Sequence, residues 1–314
     1  MKISRVFLLS IWVGVSTQAT AQRRLNRNDF QSLPFFEEEF AYRSPADAEF
    51  QRRWVADHPQ STIGNGSEYY VPAQLELLPD GLPLPDGSVS PGSFLRIKTT
   101  RLTQAERDTA NARAGRTDIV YASGKLTSRM KGDPIAPADA QAHRFEGFTY
   151  GLFEIRCKLP ASGRGIAPAF WLNAPRTEID IIDNLNDNPA REWQMGVLDW
   201  SRRDSCATGV DCWTKGTKMR KRGKDLAAEF NVYGAVWTPE AVTFYFNDRK
   251  ILSVPRTAVV TYNQTARLIV NVATQADASF AGGEMVIDYI RVWKFKEKPA
   301  SRARSPRKPE QTTN

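Results

Sequence analysis

The sequence predicts an all-β fold in which two antiparallel sheets pack face to face as a sandwich. Many short segments alternate apolar and polar residues with the period of a strand, and clusters of Gly, Pro, Asn and Asp separate them, whereas helical periodicity is weak. The 314 residues are 41% hydrophobic, 11% aromatic and 25% charged. This composition supports a packed core and excludes fibrous, collagen-like and wholly disordered chains.

Residues 1–21 have the pattern of a secretory signal peptide. Lys2 and Arg5 precede an apolar run of about ten residues, and Ala19-Thr20-Ala21 supplies a small-x-small cleavage site. The run is too short to span a bilayer, which takes roughly 20 residues. We therefore expect a secreted or periplasmic protein without a membrane span. Residues 22–34 are polar and basic, and we interpret them as an N-terminal tether.

Residues 35–295 carry the strand patterns and form the predicted domain. The clearest strands are 150–159, 241–246, 250–254, 267–273 and 285–294, with Asn247-Asp248 as a hairpin turn. Residues 46–55 and 103–114 are the best helix candidates, and residues 74–93 and 201–224 are interpreted as loops. Residues 296–314 have no hydrophobic anchor and predict a disordered basic tail.

The net charge of +8 belongs mainly to the two ends of the chain. Residues 294–314 alone contain seven basic residues against Glu297 and Glu310, so the domain itself is close to neutral. A nucleic-acid partner is therefore not expected, and would rest on the tail alone. Nothing in the sequence indicates an oligomer, and we expect a monomer.

The three cysteines fall into two groups. Cys206 and Cys212 bracket a short loop and are candidates for a disulfide in an exported protein. Cys157 alternates with Phe153 and Ile155, which predicts a core position. No Cys/His spacing is typical of a metal site, so neither a metal nor an organic cofactor is expected.

The segment 177–183, Thr-Glu-Ile-Asp-Ile-Ile-Asp, concentrates acidic residues on a predicted strand. Glu178 and Asp180 share one face, and a one-residue bulge at Ile181-Ile182 would bring Asp183 to the same face. A row of carboxylates suits glycosidic bond cleavage, in which two carboxyl groups about 5 to 5.5 Å apart act as nucleophile and as acid/base. The alternative from spacing alone is an acidic strand edge or a cation site.

Several motifs in order along the chain resemble glycoside hydrolase family 16. They are residues 36–40, 121–128, 150–160, 168–172, 178–183, 233–239 and 285–293. The resemblance implies a concanavalin A-like jelly roll of two curved antiparallel sheets, with a polysaccharide on the concave face and room for a structural Ca²⁺. The extra residue before Asp183 is similar to the laminarinase, agarase and carrageenase branches of the family.

The same resemblance implies roles for the three acids. Glu178 would be the nucleophile, Asp183 the acid/base, and Asp180 the acid that supports both. Two departures leave a non-catalytic or weakly active carbohydrate-binding protein as the alternative. Asp183 stands where the family ordinarily has Glu, which shortens the side chain by roughly 1.5 Å, and the strand after the acids lacks the His that many members place there.

Four further residues are candidates for sugar contact, because pyranose rings stack on aromatic side chains and hydrogen-bond to polar ones. Trp171 shares its parity with Ala169 and Asn173, so it should face the cleft. Trp200 admits sugar contact or core packing equally. Asn65 and Glu68 resemble a family loop that contacts sugar hydroxyls.

The basic run 215–224 is interpreted mainly as a solvated loop, with an anionic or sulfated glycan as the alternative meaning. The function expected from the sequence is thus retaining, endo-acting hydrolysis of internal β-glycosidic bonds in a polysaccharide. The sugar itself is not specified.

Overall fold

The computed structural model describes residues 24–56, 66–78, 80, 93–131, 133, 146–161, 163–184, 188–205, 214–221, 223–259 and 263–297. Seventeen strands lie in these ranges. In chain order they are β1 (Phe36–Glu38), β2 (Trp54–Val55), β3 (Glu68–Tyr70), β4 (Leu75–Leu78), β5 (Phe94–Arg101), β6 (Tyr121–Ser123), β7 (Lys125–Ser128), β8 (Gly151–Lys158), β9 (Arg164–Asn173), β10 (Thr177–Asp183), β11 (Glu192–Asp199), β12 (Thr214–Arg220), β13 (Asn231–Trp237), β14 (Ala241–Phe246), β15 (Arg249–Pro255), β16 (Arg267–Ser279) and β17 (Gly282–Trp293).

The described strands form two sheets, which confirms the predicted jelly-roll sandwich. One sheet has ten strands and runs β15-β14-β13-β8-β17-β5-β6-β3, with β1 beside β17 and β4 beside β5. The other has seven and runs β12-β11-β10-β9-β16-β7-β2. All strand pairs are antiparallel except β3 with β6, which is parallel.

The predicted helices are present. Helix α1 spans Ala48–Arg53 and helix α2 spans Gln104–Ala114. Thr103 and Glu106 form a reciprocal capping box at the start of α2, and Gly115 ends it in the left-handed conformation at φ 64°. No helix among the described residues is long and apolar enough to cross a membrane.

The core lies between the two sheets and is built from the inward parity of each strand. Phe153, Ile155 and Cys157 of β8 meet Phe170 and Leu172 of β9 across it, and all five are buried. Cys157 is a free thiol at this position, which confirms its predicted core role. The predicted turn at Asn247-Asp248 is also confirmed, since both residues have positive φ, 47° and 62°.

Three regions differ from the sequence-based expectation. Residues 75–78 form strand β4 and residues 214–220 form strand β12, although both were assigned to loops. Strand β12 was assigned to a loop because its residues are mostly half-exposed or exposed. It is an edge strand, and such a strand buries little of either face. A polar edge strand carries no strong period-two signal.

Residues 24–34 are part of the packed domain rather than a tether. Phe30 is buried and stacks on Phe295 at 4.9 Å between ring centroids. Arg27 forms an ion pair with Glu154 at 2.7 Å and another with Asp248 at 2.8 Å. The signal peptide at 1–21, the Cys206 and Cys212 pair, and the tail beyond residue 297 lie outside the described residues.

Candidate active site

The seven-stranded sheet presents an outward face on which β10 places its acidic residues. Ile179 and Ile182 point into the core, so alternation directs Glu178 and Asp180 to the other side. The register of β10 against β11 slips by one residue between Asp180 and Asp183, and the register against β9 slips between Asp180 and Ile182. The predicted bulge is therefore confirmed, and it returns Asp183 to the face of the other two acids.

Each acid has defined neighbours across the sheet. Glu178 lies between Asn173 of β9 and Leu198 of β11. Asp183 lies between Ala169 and Gln194. Gln194 thus lies beside Asp183 on β11, the strand where many members of the resembled family have a His.

Asp180 lies in the middle of the row and is buried, with glycines beside it on the next two strands. Its neighbour on β11 is Gly196, and the next residue across, on β12, is Gly216. A Cβ added to Gly216 would come within 2.6 Å of the carbonyl oxygen of Met195, so β12 approaches β11 too closely there for any side chain. Gly196 and Gly216 therefore allow β11 and β12 to pack closely beside the acids.

Burial raises the pKa of all three carboxyl groups. The pKa of Glu178 rises to about 7, through burial first and then the charge of Asp183. The pKa of Asp183 rises to about 6 through burial. Asp180, 7% exposed, has its pKa raised well above its usual range, by burial and then by the charges of both neighbours. The cluster therefore retains protons near neutral pH. Because the three carboxyl groups interact, each titration step belongs to the cluster and not to one residue.

Trp200 contacts the candidate nucleophile directly. Its indole Nε1 donates a hydrogen bond to Oε2 of Glu178 at 3.2 Å, which lowers the pKa of that carboxyl against the effect of burial. Trp200 is half-buried and begins a short 3-10 helix, Trp200–Ser205, directly after β11. Asp199 points inward, is fully buried, and accepts hydrogen bonds from the backbone and hydroxyl of Ser201.

Trp171 lies on the same face as the acids, as its parity predicts. It pairs with Asp180 across β9 and β10, and its Nε1 donates to Oδ1 of Asn271 at 3.0 Å. Trp171 also forms part of the wall of a groove of about 1130 Å³ that extends over β16, β7 and β2. We call this the β7 groove; Trp54, Lys125, Arg129, Asn173 and Arg267 also line it.

Glu68 does not face this groove. It is fully buried, and its carboxylate accepts hydrogen bonds from the backbone and hydroxyl of Thr274 and from the hydroxyl of Tyr70. A sugar would have to displace these partners to reach it, so the structure places Glu68 in the interior rather than at the substrate-facing surface. Asn65 lies outside the described residues.

Glu68 is nevertheless connected to the groove through a chain of hydrogen bonds. Tyr70 donates to Glu68 at 2.8 Å, Asn271 donates to the Tyr70 oxygen at 3.3 Å, and Trp171 donates to Asn271. Sequence reasoning missed Tyr70 and Asn271. The parity of Asn271, opposite to Leu268, Val270 and Val272 in the same strand, was the available signal.

Comparisons with known proteins agree with the motifs. The sequence model of Glycosyl hydrolases family 16 matches residues 139–291, which include all three acids. The beta-glucanase of Rhodothermus marinus is 25% identical over 324 residues, covering 93% of this chain and 94% of that protein. Endo-1,3-1,4-beta-glycanase ExsH of Rhizobium meliloti (strain 1021) is 25% identical over 260 residues, covering 79% of this chain and 47% of ExsH, about half its length.

A solved structure supports the fold. SCLam, a non-specific endo-beta-1,3(4)-glucanase from family GH16, superposes with a TM-score of 0.61 at 20% identity, covering 87% of this chain and 95% of SCLam. This likeness therefore supports the jelly-roll assignment made from the strands.

Proposed function

We propose that this chain is a glycoside hydrolase of family 16 that cleaves internal β-glycosidic bonds of a polysaccharide with retention of configuration. The observation that carries the proposal is the bulged row of Glu178, Asp180 and Asp183 on the outer face of the sheet, within the segment that matches the family. The relatives named as glucanases and glycanases support an endo-acting enzyme. An enzyme that cleaves internal glycosidic bonds acts on a polysaccharide, which is therefore the proposed substrate.

In the first step of the proposed reaction, the ionised carboxylate of Glu178 attacks the anomeric carbon. The bond to the leaving oxygen breaks, and that oxygen takes the proton of Asp183, so a covalent glycosyl-enzyme forms and one chain end departs. In the second step, Asp183 takes a proton from water as the water attacks the same carbon, and Glu178 leaves. Two inversions at one carbon give retention.

The surroundings support this division of roles. The hydrogen bond from Trp200 stabilises the charged form of Glu178, as a nucleophile requires. Asp180, the most buried of the three, lies between the other two and keeps a proton in the row. The charge of Asp183 raises the pKa of Glu178, so the protonation states of the two outer carboxyl groups depend on each other. The proposed steps use carboxyl groups and water only; a structural Ca²⁺ stays a prediction.

The decisive experiment is the Glu178→Gln variant assayed for new reducing ends on β-glucans, agars and carrageenans. We expect loss of activity by several orders of magnitude with unchanged thermal stability or a higher one. Glu284→Gln is the matched control, because Glu284 lies on β17 of the other sheet in an ion pair with Arg96. Wild-type activity in Glu178→Gln would refute the proposal.

Retention has its own test. NMR during the first minutes of hydrolysis should show the β-anomer of the new reducing end before mutarotation. Early appearance of the α-anomer would contradict a covalent intermediate on Glu178.

A carbohydrate-binding protein without turnover is the second candidate, and the short side chain of Asp183 favours it. A general acid must approach the leaving oxygen to about 2.6 to 3.2 Å. Binding of a polysaccharide by the wild type without new reducing ends would support this second candidate.

We also propose export to the periplasm or the medium, because residues 1–21 have the signal pattern described above. The mature protein is then expected to begin near residue 22 and to act as a monomer. N-terminal sequencing of the exported protein and its mass in solution check both expectations.

A further inference from the structure

The β7 groove contains an amine whose environment is unusual for lysine. Lys125 is only 8% exposed, although lysine is rarely so deeply buried without a partner. Its Nζ lies 5.5 Å from the centre of the Tyr70 ring, and the residue lines the groove. Within the part of the chain that the structure describes, no acceptor lies within hydrogen-bonding distance of this Nζ.

Glu68, the acid whose charge acts on Lys125, does not accept a hydrogen bond from its ammonium. Glu68 lies close enough for its charge to oppose the lowering of the Lys125 pKa by burial. Its carboxylate oxygens, however, are engaged by Thr274 and by the Tyr70 hydroxyl. The ring of Tyr70 faces the ammonium, and a ring face attracts a cation without satisfying its N–H donors.

Asp133, the acid among the described residues that line the groove, is paired as well. Asp133 forms a two-point ion pair with Arg267, in which Nη2 lies 2.6 Å from Oδ1. Arg129 also lines the groove and donates from Nε to the carbonyl of Gln51. Among the described lining residues, positive charge therefore exceeds negative charge.

Lys125 is in line with the acids. It pairs with Asn271 of β16, Asn271 with Ala169 of β9, and Ala169 with Asp183 of β10. Three strand spacings correspond to about 14 Å. A polysaccharide lying across the strands and reaching Asp183 would therefore also pass over Lys125.

The opposite edge of the same face is basic as well. Strand β12 carries Lys218 and Arg220 with the parity of the acids, because they pair with Gln194 and Glu192 of β11. Lys218 forms an ion pair with Glu192 at 2.9 Å, and Arg220 is exposed. Positive groups thus flank the acidic row on both sides.

We propose, resting on the function proposed above, that the β7 groove binds an anionic substituent of the polysaccharide, a carboxylate or a sulfate ester, through the ammonium of Lys125. The side chain of Lys125 is largely buried and its ammonium opens only to the groove, so it is partly desolvated. A charge-assisted hydrogen bond to an anion offsets more of that desolvation cost than a hydrogen bond to a sugar hydroxyl does. A bound anion also stabilises the charged form of Lys125, which burial disfavours. The preferred substrate is therefore a charged glycan rather than a neutral one.

The test compares polysaccharides that have the same sugar backbone and differ only in their charged substituents. The probes are laminarin with its sulfated and carboxymethylated derivatives, and κ-carrageenan with its desulfated form. Binding is measured by tryptophan fluorescence in the Glu178→Gln background, and cleavage is measured with wild-type Glu178. On at least one backbone, we expect a charged form to bind about 10- to 100-fold more tightly than its neutral parent, as one charged hydrogen bond would give.

Lys125→Met should abolish this preference, because the charged form should then bind no more tightly than its neutral parent. Lys125→Gln gives a second variant in case the first does not fold. Lys98→Met is the matched control for loss of one charge, because Lys98 lies on β5 of the other sheet. The sulfated and carboxymethylated arms distinguish the two anions.

Equal affinity for charged and neutral forms would overturn this inference, as would an unchanged preference in Lys125→Met. In either case, cleavage of a neutral polymer would leave the proposed hydrolase standing. Absence of both binding and cleavage for every probe would overturn the two proposals together.

Discussion

The indole of Trp200 donates its hydrogen bond to the carboxylate of Glu178 across 3.2 Å, which joins the residue that follows β11 to the first acid of β10. A donor aimed at a carboxylate favours its ionised form. Burial acts in the opposite direction and holds the pKa of Glu178 at about 7. The protonation of Glu178 thus depends on a balance that one side chain can change.

Trp200→Phe should shift this balance. The variant keeps an aromatic ring but removes the N–H donor, so the pKa of Glu178 should rise and a smaller fraction should be ionised. We expect kcat/KM at pH 6 to fall by about tenfold and the acidic limb of the pH profile to move upward. Trp293→Phe on the other sheet is the control. A loss of activity with an unmoved acidic limb would assign Trp200 to substrate contact alone.

The length of Asp183 gives the second prediction. Asp183→Glu adds one methylene and extends the carboxyl by roughly 1.5 Å toward the leaving oxygen. If the short side chain limits proton transfer, kcat should rise by about tenfold, since a misplacement near 1 Å costs about 10² in rate. Asp183→Asn sets the baseline without an acid. A lower kcat in Asp183→Glu than in wild type would show that the site is shaped for the shorter acid.

The buried carboxyl row gives a prediction for stability against pH. A carboxyl whose pKa is higher in the folded than in the unfolded state binds protons more tightly when folded, so stability falls as pH rises. For this cluster, the fall should span the range from about pH 4, where the unfolded acids titrate, to about pH 7, where Glu178 does. We expect the melting temperature to decrease between these values.

Asp180→Asn should reduce this decrease, because an amide in the middle of the row carries no charge to bury. We expect its melting temperature at pH 8 to exceed that of the wild type by about 5 °C, and the two proteins to converge near pH 4. Differential scanning calorimetry across this range measures the effect. Parallel melting curves at every pH would mean that Asp180 titrates alike in the folded and unfolded states.

The sequence anticipated those features that local patterns determine. Period-two alternation predicted the strands around Cys157 and the facing of Trp171, and the spacing of Glu178, Asp180 and Asp183 predicted the bulge. It could not anticipate what depends on distant contacts. Glu68 is buried because Thr274, more than 200 residues later, supplies donors for its carboxylate. Strand β12 was missed because an exposed edge strand shows little alternation.

The hydrogen-bond chain from Glu68 to Trp171 gives the last prediction. Tyr70→Phe removes both the donor to Glu68 and the acceptor for Asn271, and all three residues are fully buried. Oε1 of Glu68 would lose its hydrogen bond while Oε2 keeps those from Thr274. A buried acceptor left without a partner costs about 1 to 3 kcal/mol, so the melting temperature should fall by several degrees. Asn271 would then hold the indole of Trp171 less firmly, and KM should rise about threefold with a smaller change in kcat.

The matched control for Tyr70→Phe is Tyr233→Phe. Both tyrosines are fully buried, but the hydroxyl of Tyr233 has no hydrogen-bond partner among the described residues. Removing it relieves a desolvation cost and breaks no hydrogen bond, so Tyr233→Phe should be neutral or stabilising. The two variants delete the same atom from the same sandwich, but only Tyr70→Phe should destabilise it. Equal destabilisation would show that loss of the hydroxyl acts through packing, and that the chain to Trp171 contributes nothing of its own.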